Sequence, residues 1–266
     1  MDRLDDYALA TGDGGAPRLR MVDQVYGPGT RRLLTRAGLA SGQRVADVGC
    51  GMGAVSRWMS AQVGAGGRVF GIDANPEQLA VARRSGANEE NVEYIEASAY
   101  ATGLPRGSFD LVYFRFLLMH LTRPLDALRE MRALLRPGGV LVCEEAAVDS
   151  SACEPRCPGQ IYLQSLATAL GAQLGCDFNL ARRLHSLVLE AGFASPEIAH
   201  HQPVFLRGEN KRLEELCFRE VAPRIVSLEL ATASEVGDAL DRVSRTVADE
   251  TVAYSLSTMV QIWARA

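Results

Sequence analysis

The chain has 266 residues, 47% of them hydrophobic and 23% charged, with a formal net charge of −4. That length supports one sizeable domain plus an appended cap, and the composition is globular rather than disordered or fibrous. The acidic balance argues against a nucleic-acid footprint, and no apolar run is long enough to span a bilayer.

In chain order, the opening MDRLDDYALATGDGG is acidic and polar, unlike a secretory signal, and predicts a cytoplasmic protein. Apolar residues at Leu19, Val22 and Val25, then at Leu33, Leu34, Ala37 and Leu39, predict two amphipathic helices broken at Tyr26-Gly27-Pro28-Gly29. From 44 to 145, strands at 44–48, 68–72, 92–96, 109–114 and 139–144 alternate with helices near 53–64, 76–85 and 124–135. The last of these helices shows Leu125, Leu128, Met131, Leu134 and Leu135 on one face, and Pro137-Gly138-Gly139 stops it. Such alternation predicts a parallel sheet whose ligand site lies at the carboxyl ends of the strands. After Glu145 comes a polar connection, then an extra helix at 159–174, a helix at 180–191 and a strand near 196–205. Residues 209–249 read as mainly helical, and the final YSLSTMVQIWARA reads as an edge-type strand.

The stretch VADVGCGMG, Val45 to Gly53, carries the first chemistry. Val45, Ala46 and Val48 read as a buried strand, and Gly49, Gly51 and Gly53 let the backbone turn sharply and approach a ligand. The helix that follows points its unpaired N–H groups back into that turn, a site for an anionic or strongly polar group. Asp73, at the end of the next strand and 24 residues after Gly49, is placed to accept hydrogen bonds from both hydroxyls of a ribose. Together these features predict a nucleoside-containing cofactor. The nicotinamide fingerprint fits as Gly49, Gly51 and Ala54. Asp47 points elsewhere: a carboxylate is poorly placed beside a pyrophosphate but suits a ligand with an ammonium and a sulfonium.

Four blocks then carry a resemblance: VADVGCGMG, VFGIDANPEQLAVAR, GLPRGSFDLVYFRFLLMHL and LRPGGVLVCEE. In this order and spacing they resemble the class I (Rossmann-like) S-adenosylmethionine-dependent methyltransferases. The resemblance implies an α/β fold: a seven-stranded, mostly parallel, doubly wound sheet with an antiparallel last strand. It also implies S-adenosylmethionine as cofactor, with S-adenosylhomocysteine as product. Gly49, Cys50 and Gly51 would cradle its methionine end, Asp73 would hold the ribose, and Ala74 would lie beside the adenine. Ser98 and Ala99 fall where the family often has Asp-Ala against the adenine amino group, so Ser98 departs from the pattern. Arg115 ends the fourth strand, where the chain passes the sulfonium and the substrate pocket. On this reading 1–43 is a helical lid carrying Tyr7 and Tyr26 as candidate pocket-lining phenols. Residues 44–150 are the cofactor-binding core and 151–178 a cap insertion. Residues 179–266 complete the core and carry a further cap segment at 209–249.

Methyl transfer is an in-line displacement that alignment at about 3 Å can largely drive. A base is needed only when the acceptor must lose a proton. The base candidates are His120, Glu144, Glu145, Asp149, Tyr7 and Tyr26. Strand alternation sends one of Glu144 and Glu145 toward the pocket and the other away. His185, His200 and His201 read as structural. Phe114-Arg115-Phe116-Leu117 stands where methyltransferases of nucleic-acid amino groups resemble one another in an Asn/Asp-Pro-Pro-Tyr/Phe block. With the acidic charge and the cap, that favours a small-molecule acceptor, in specialised metabolism, with no nucleic-acid or membrane partner. Six scattered cysteines, with only a C-x3-C pair at Cys153 and Cys157, predict reduced thiols and no metal. Two rivals remain: a nicotinamide-dependent oxidoreductase, and a non-methylating protein that uses the fold to bind a ligand or steer a cyclisation.

Overall fold

Seven strands form one central sheet in the computed structural model, which describes residues 7–86 and 89–266. The chain begins with α1 (Gly12–Arg36), then β1 (Arg44–Val48), α2 (Ala54–Val63), β2 (Arg68–Asp73), α3 (Pro76–Ser85), β3 (Val92–Glu96) and β4 (Phe109–Arg115). A 3-10 turn (Leu118–His120) leads to α4 (Pro124–Leu134), β5 (Leu135–Ala147), β6 (Ala152–Glu154), α5 (Pro158–Gln173), α6 (Leu184–Glu190), β7 (Ala194–His201) and β8 (Val204–Phe205). The last elements are α7 (Leu213–Ser227), α8 (Ala233–Ala248), β9 (Ala253–Ser255) and β10 (Thr258–Arg265). The sheet order is β3-β2-β1-β4-β5-β10-β7, with β1 to β5 parallel and β10 antiparallel to both its neighbours. This is the expected doubly wound α/β sheet with an antiparallel last strand.

Alternation along the strands divides the core. Val45, Val69, Leu111 and Val142 face Leu33 and Leu34 of α1 and Val55, Met59 and Val63 of α2. Ala46, Ile72, Val112, Phe114, Leu141 and Cys143 belong to the opposite core with Leu128 and Met131 of α4 and Leu184 and Val188 of α6. Helices α5, α7 and α8 pack on one another beyond the carboxyl ends of the strands, and α1 touches both α3 and α7. A capping box on Thr232 and Glu235 fixes the start of α8.

Three expectations are corrected. The two N-terminal helices are one: α1 runs unbroken through Tyr26-Gly27-Pro28-Gly29. Proline inside a helix removes one hydrogen bond and crowds the preceding turn. Here burial of Val25, Tyr26, Leu33 and Leu34 outweighs that local signal, and the glycines are needed for close packing. A Cβ on Gly29 would lie 2.8 Å from the His201 ring. The C-terminal strand is not at an edge: β10 lies between β5 and β7, and Met259, Ile262, Trp263 and Ala264 are buried. The edge belongs to β7, most of which is exposed. The strand expected near 196–205 is two strands in two sheets, since β8 joins β6 and β9 in a small three-stranded sheet. The first six residues of the expected 1–43 lid lie outside the described residues. Among the described residues, no helix is long and apolar enough to cross a membrane.

Candidate active site

A cavity of about 1060 Å³ opens over the carboxyl ends of β1, β2 and β4. The glycine turn forms its floor, α1 one wall, and α5 and α7 the far side. The turn has the conformation its sequence predicts: Gly49, Gly51 and Gly53 all have positive φ, at 74°, 53° and 73°. A Cβ on Gly49 would come within 2.9 Å of the Leu117 side chain, whereas one on Gly51 would meet nothing within 4 Å. Gly51 borders the cavity, so its bare Cα leaves space against the backbone for a ligand. The N–H groups of Gly49 and Cys50 do not point at that ligand; both donate to the Ile72 carbonyl, at 2.7 and 2.9 Å. The open donors are those at the start of α2, which has no side-chain cap and sets Ala54 and Val55 on the cavity wall.

The expected cofactor residues converge here. Asp47, Cys50, Asp73, Ala74, Ser98 and Ala99 all line the cavity. Asp47 is buried and accepts from the Ser56 hydroxyl; burial raises its pKa to about 6, against the pull of that hydrogen bond. Asp73 accepts from the N–H of Gly51 at 2.8 Å and of Asn75 at 2.9 Å, and burial raises its pKa despite both. The Ser98 hydroxyl accepts from the Tyr100 N–H, so it holds its own loop. Burial pushes the Cys50 thiol well up, which keeps it protonated. Tyr26 reaches the cavity from α1, and its phenol donates to the Ser257 carbonyl at 3.0 Å. Arg115 borders the cavity and donates to Thr30 at 2.9 Å and to Asp23 at 3.4 Å, both on α1. Those bonds clamp α1 to β4.

The expected bases fare differently. His120 lines the cavity with its ring 4.8 Å from that of Tyr7 and 5.4 Å from that of Phe178. Burial, and secondarily the charge of Arg18, lower its pKa to about 3. It is therefore neutral throughout the working range and holds a proton weakly. The expectation that Glu144 or Glu145 faces the cavity is corrected: neither borders it. Glu144 is buried and accepts from the Tyr113 hydroxyl at 3.2 Å and the Gln261 amide at 3.1 Å. Glu145 accepts the N–H groups of Leu117 and Leu118, at 2.8 and 2.6 Å, and so caps the 3-10 turn. Alternation does send the two to opposite faces, but β5 runs on to Ala147, and Ala146 and Val148 are the residues that reach the cavity. Asp149 pairs with Arg182 on the surface, and His185, His200 and His201 lie outside the cavity lining.

Sequence reasoning missed Arg18, Phe178 and Glu214, all on the cavity wall. Arg18 shares the helical stripe of Val22 and Tyr26 at i, i+4 and i+8, and a charge interrupting an apolar stripe was the available signal. Glu214 sits beside Leu213 and below Phe218 in the same way. It accepts from Ser151, Gln160, Gln164 and Tyr254. All six cysteines are free thiols. Among the described residues, no group of three or more His, Cys, Asp or Glu side chains is placed to hold a metal ion.

Residues 46–143, from β1 through most of β5, match the family described as methyltransferase domain. The core of this chain is similar to a methyltransferase domain. A demethylmenaquinone methyltransferase of Staphylococcus aureus is 35% identical over 117 residues, which are 44% of this chain and 48% of that protein. The chain spans about half the length of the curated relatives it matches. In the solved structures, phosphoethanolamine N-methyltransferase 2 of Haemonchus contortus, in complex with S-adenosylhomocysteine, superposes with a TM-score of 0.57 at 18% identity. That match covers 97% of this chain and 54% of the other. The cyclase SpnF superposes with a TM-score of 0.52 at 19% identity, covering 98% and 84%. At these identities the likeness is one of fold. The methyltransferase domain replaces the oxidoreductase reading of the glycine turn.

Proposed function

We propose that the chain transfers a methyl group from S-adenosylmethionine to a small, largely apolar acceptor, in the cytoplasm and as a step of specialised metabolism. One observation carries this reading: a single cavity holds the glycine cradle and Asp73 at one end and an apolar wall at the other. That wall is built by Phe116, Met119, Phe178, Phe218, Val221 and Leu256. A drug-sized ligand occupies roughly 300–1,000 Å³, so about 1060 Å³ accommodates a cofactor and an acceptor together. Relatives named demethylmenaquinone methyltransferase support an acceptor that is a small molecule.

In this reading Gly49, Cys50, Gly51 and Asp47 receive the methionine end of the cofactor, with Tyr26 and Arg115 closing it from the lid side. Asp73 takes the ribose, and Ala74, Ser98 and Ala99 border the adenine. When bound, S-adenosylmethionine supplies a methyl carbon on a cationic sulfur. The chain contributes position and dryness. Arg115 and Tyr26 hold α1 down, and the cap presents the acceptor against β4 with water excluded. His120 packs the acceptor side as a neutral ring. Titration calorimetry should show binding of S-adenosylhomocysteine and none of NAD. Turnover of a labelled methyl donor with candidate acceptors tests the transfer itself. A protein that binds S-adenosylhomocysteine yet transfers no label to any acceptor would instead be using the fold for ligand binding or cyclisation.

A further inference from the structure

We infer that Arg18 determines acceptor specificity: with Tyr7 beside it, it forms the pole of the pocket that receives an anionic oxygen of an otherwise apolar acceptor. The chemical class is a carboxylate, phenolate or enolate on a hydrophobic body. This assignment rests on the reading of the cavity as a methyltransferase site.

Arg18 is buried, with only 4% of its side chain exposed, yet it borders the cavity. Its Nε donates to Glu220 at 2.8 Å, and one terminal nitrogen donates to the Ala10 carbonyl at 3.2 Å. A guanidinium has five N–H groups, so these two bonds leave donors over. No nitrogen of Arg18 is a buried atom without a partner. The remaining donors therefore open on the cavity, whose wall Arg18 shares with Tyr7. The carboxylate of Glu220 is shared, since it also accepts the Ala10 N–H at 3.0 Å. An acceptor oxyanion is a better partner for the spare donors than water, because charge-assisted bonds strengthen in a dry site.

The other polar groups on the cavity wall are less suited to that role. Glu214 accepts from four donors, which fill the lone-pair directions of its two oxygens. Arg115 is tied to Thr30 and Asp23 beside the glycine turn, so whatever donors it has left serve the cofactor end. His120 is neutral. Arg18 is also displaced from the methionine end of the cofactor. Tyr26 and Asp23 stand with Arg115 near the glycine turn, and Arg18 lies eight residues before Tyr26, about 12 Å along the helix. Its ion-pair partner belongs to α7 of the cap. An acceptor that enters as an anion has already lost its proton, consistent with a cavity whose histidine is held neutral and whose expected carboxylate bases point away.

The test uses 2-naphthoate and its neutral isostere 2-naphthamide as probes, titrated into the full chain saturated with S-adenosylhomocysteine. The wild type should bind the naphthoate at least about tenfold more tightly, since an unpaired buried donor disfavours the neutral probe. Arg18→Gln should bring the two probes within about twofold of each other, with S-adenosylhomocysteine affinity unchanged to the same margin. Arg18→Lys, which keeps the charge but loses the fork, should lower the preference at least about threefold. It is the variant to read if Arg18→Gln does not fold. Equal binding of the probes by the wild type, or binding of neither, overturns the assignment. So does a preference that survives both substitutions. A large loss of S-adenosylhomocysteine affinity in Arg18→Gln would place Arg18 on the cofactor's own carboxylate and equally overturn it. Failure of the wild type to bind S-adenosylhomocysteine is a separate result, which removes the cofactor reading beneath it.

Discussion

Asp73 uses both carboxylate oxygens on backbone N–H groups, those of Gly51 and Asn75, while bordering the cavity. It is therefore fixed before any ligand arrives, and each oxygen keeps lone-pair capacity for a ribose hydroxyl. Asp73→Ala removes charge-assisted hydrogen bonds worth about 1.5–3 kcal/mol each, so S-adenosylhomocysteine affinity should fall at least about tenfold by titration calorimetry. Affinity equal to that of the wild type would remove Asp73 from the cofactor site. His120 leads to the opposite expectation. With its pKa lowered to about 3 by burial and by Arg18, it stays uncharged between pH 5 and 9. The pH–rate profiles of wild type and His120→Ala should then have the same shape, and the substitution should raise KM, by loss of the ring between Tyr7 and Phe178, more than it lowers kcat. An acidic limb near pH 6–7 in the wild type that vanishes in the mutant would restore the histidine as a base. The glycines, Asp47 and Asp73 were legible in the sequence because one short segment and one strand end contain their whole geometry. Arg18 and Glu214 were not, because each reaches the cavity only through the packing of a helix outside the sheet, α1 or α7.

The 3-10 turn after β4 shows how an element depends on one side chain. Leu117 and Leu118 present their N–H groups to Glu145, and those donors have no helical partner. Burial raises the Glu145 pKa to about 8, against the pull of the backbone donors. The folded state thus holds a proton there that the unfolded chain releases above about 4.5, so this group's contribution to stability is lost as pH rises from about 4.5 to about 8. Glu145→Gln, an isostere of the neutral acid, should remove that slope, which is at most about 1.4 kcal/mol per pH unit. Urea denaturation of both proteins at pH 5.5 and pH 8 checks this. Wild type and mutant losing the same stability across the interval would mean that Glu145 is ionised in the fold. Element boundaries from β1 to α4 were readable because hydrophobic period and turn residues agree there. Two elements were misread for opposite reasons. In α1 the Gly-Pro-Gly signal is real but weaker than the burial of Val25, Tyr26, Leu33 and Leu34. In β10 the terminal position suggested an edge, whereas the run Ile262-Trp263-Ala264, buried on both faces, marked an interior strand.

At the scale of the whole molecule, the sheet and the cover obey different rules. The sheet is tied by long ladders from β3 across to β7. The helices over the cavity meet it through apolar packing, as of Leu33 and Leu34, and through polar clamps from Arg115 to Asp23 and Thr30 and from Tyr26 to Ser257, while Arg18 and Glu220 tie α1 to α7. The alternating core was legible because each strand and helix declares its period. The placement of α5, α7 and α8 was not, because amphipathic helices outside the minimal fold have no register that the sequence prescribes. A wall outside the strand ladders should open at lower free energy than the strands it covers. Ligands that bridge floor and wall then close it by mass action, since they bind the closed form better. Amide hydrogen exchange in α1, α5 and α7 should therefore slow when S-adenosylhomocysteine and an acceptor analogue bind together, and slow less with S-adenosylhomocysteine alone. The strands of the sheet should change little, being near the global stability already. Protection confined to the glycine turn and the strand ends, with α5 and α7 exchanging as in the free protein, would show that the cap is a fixed wall rather than a cover that closes on its substrates.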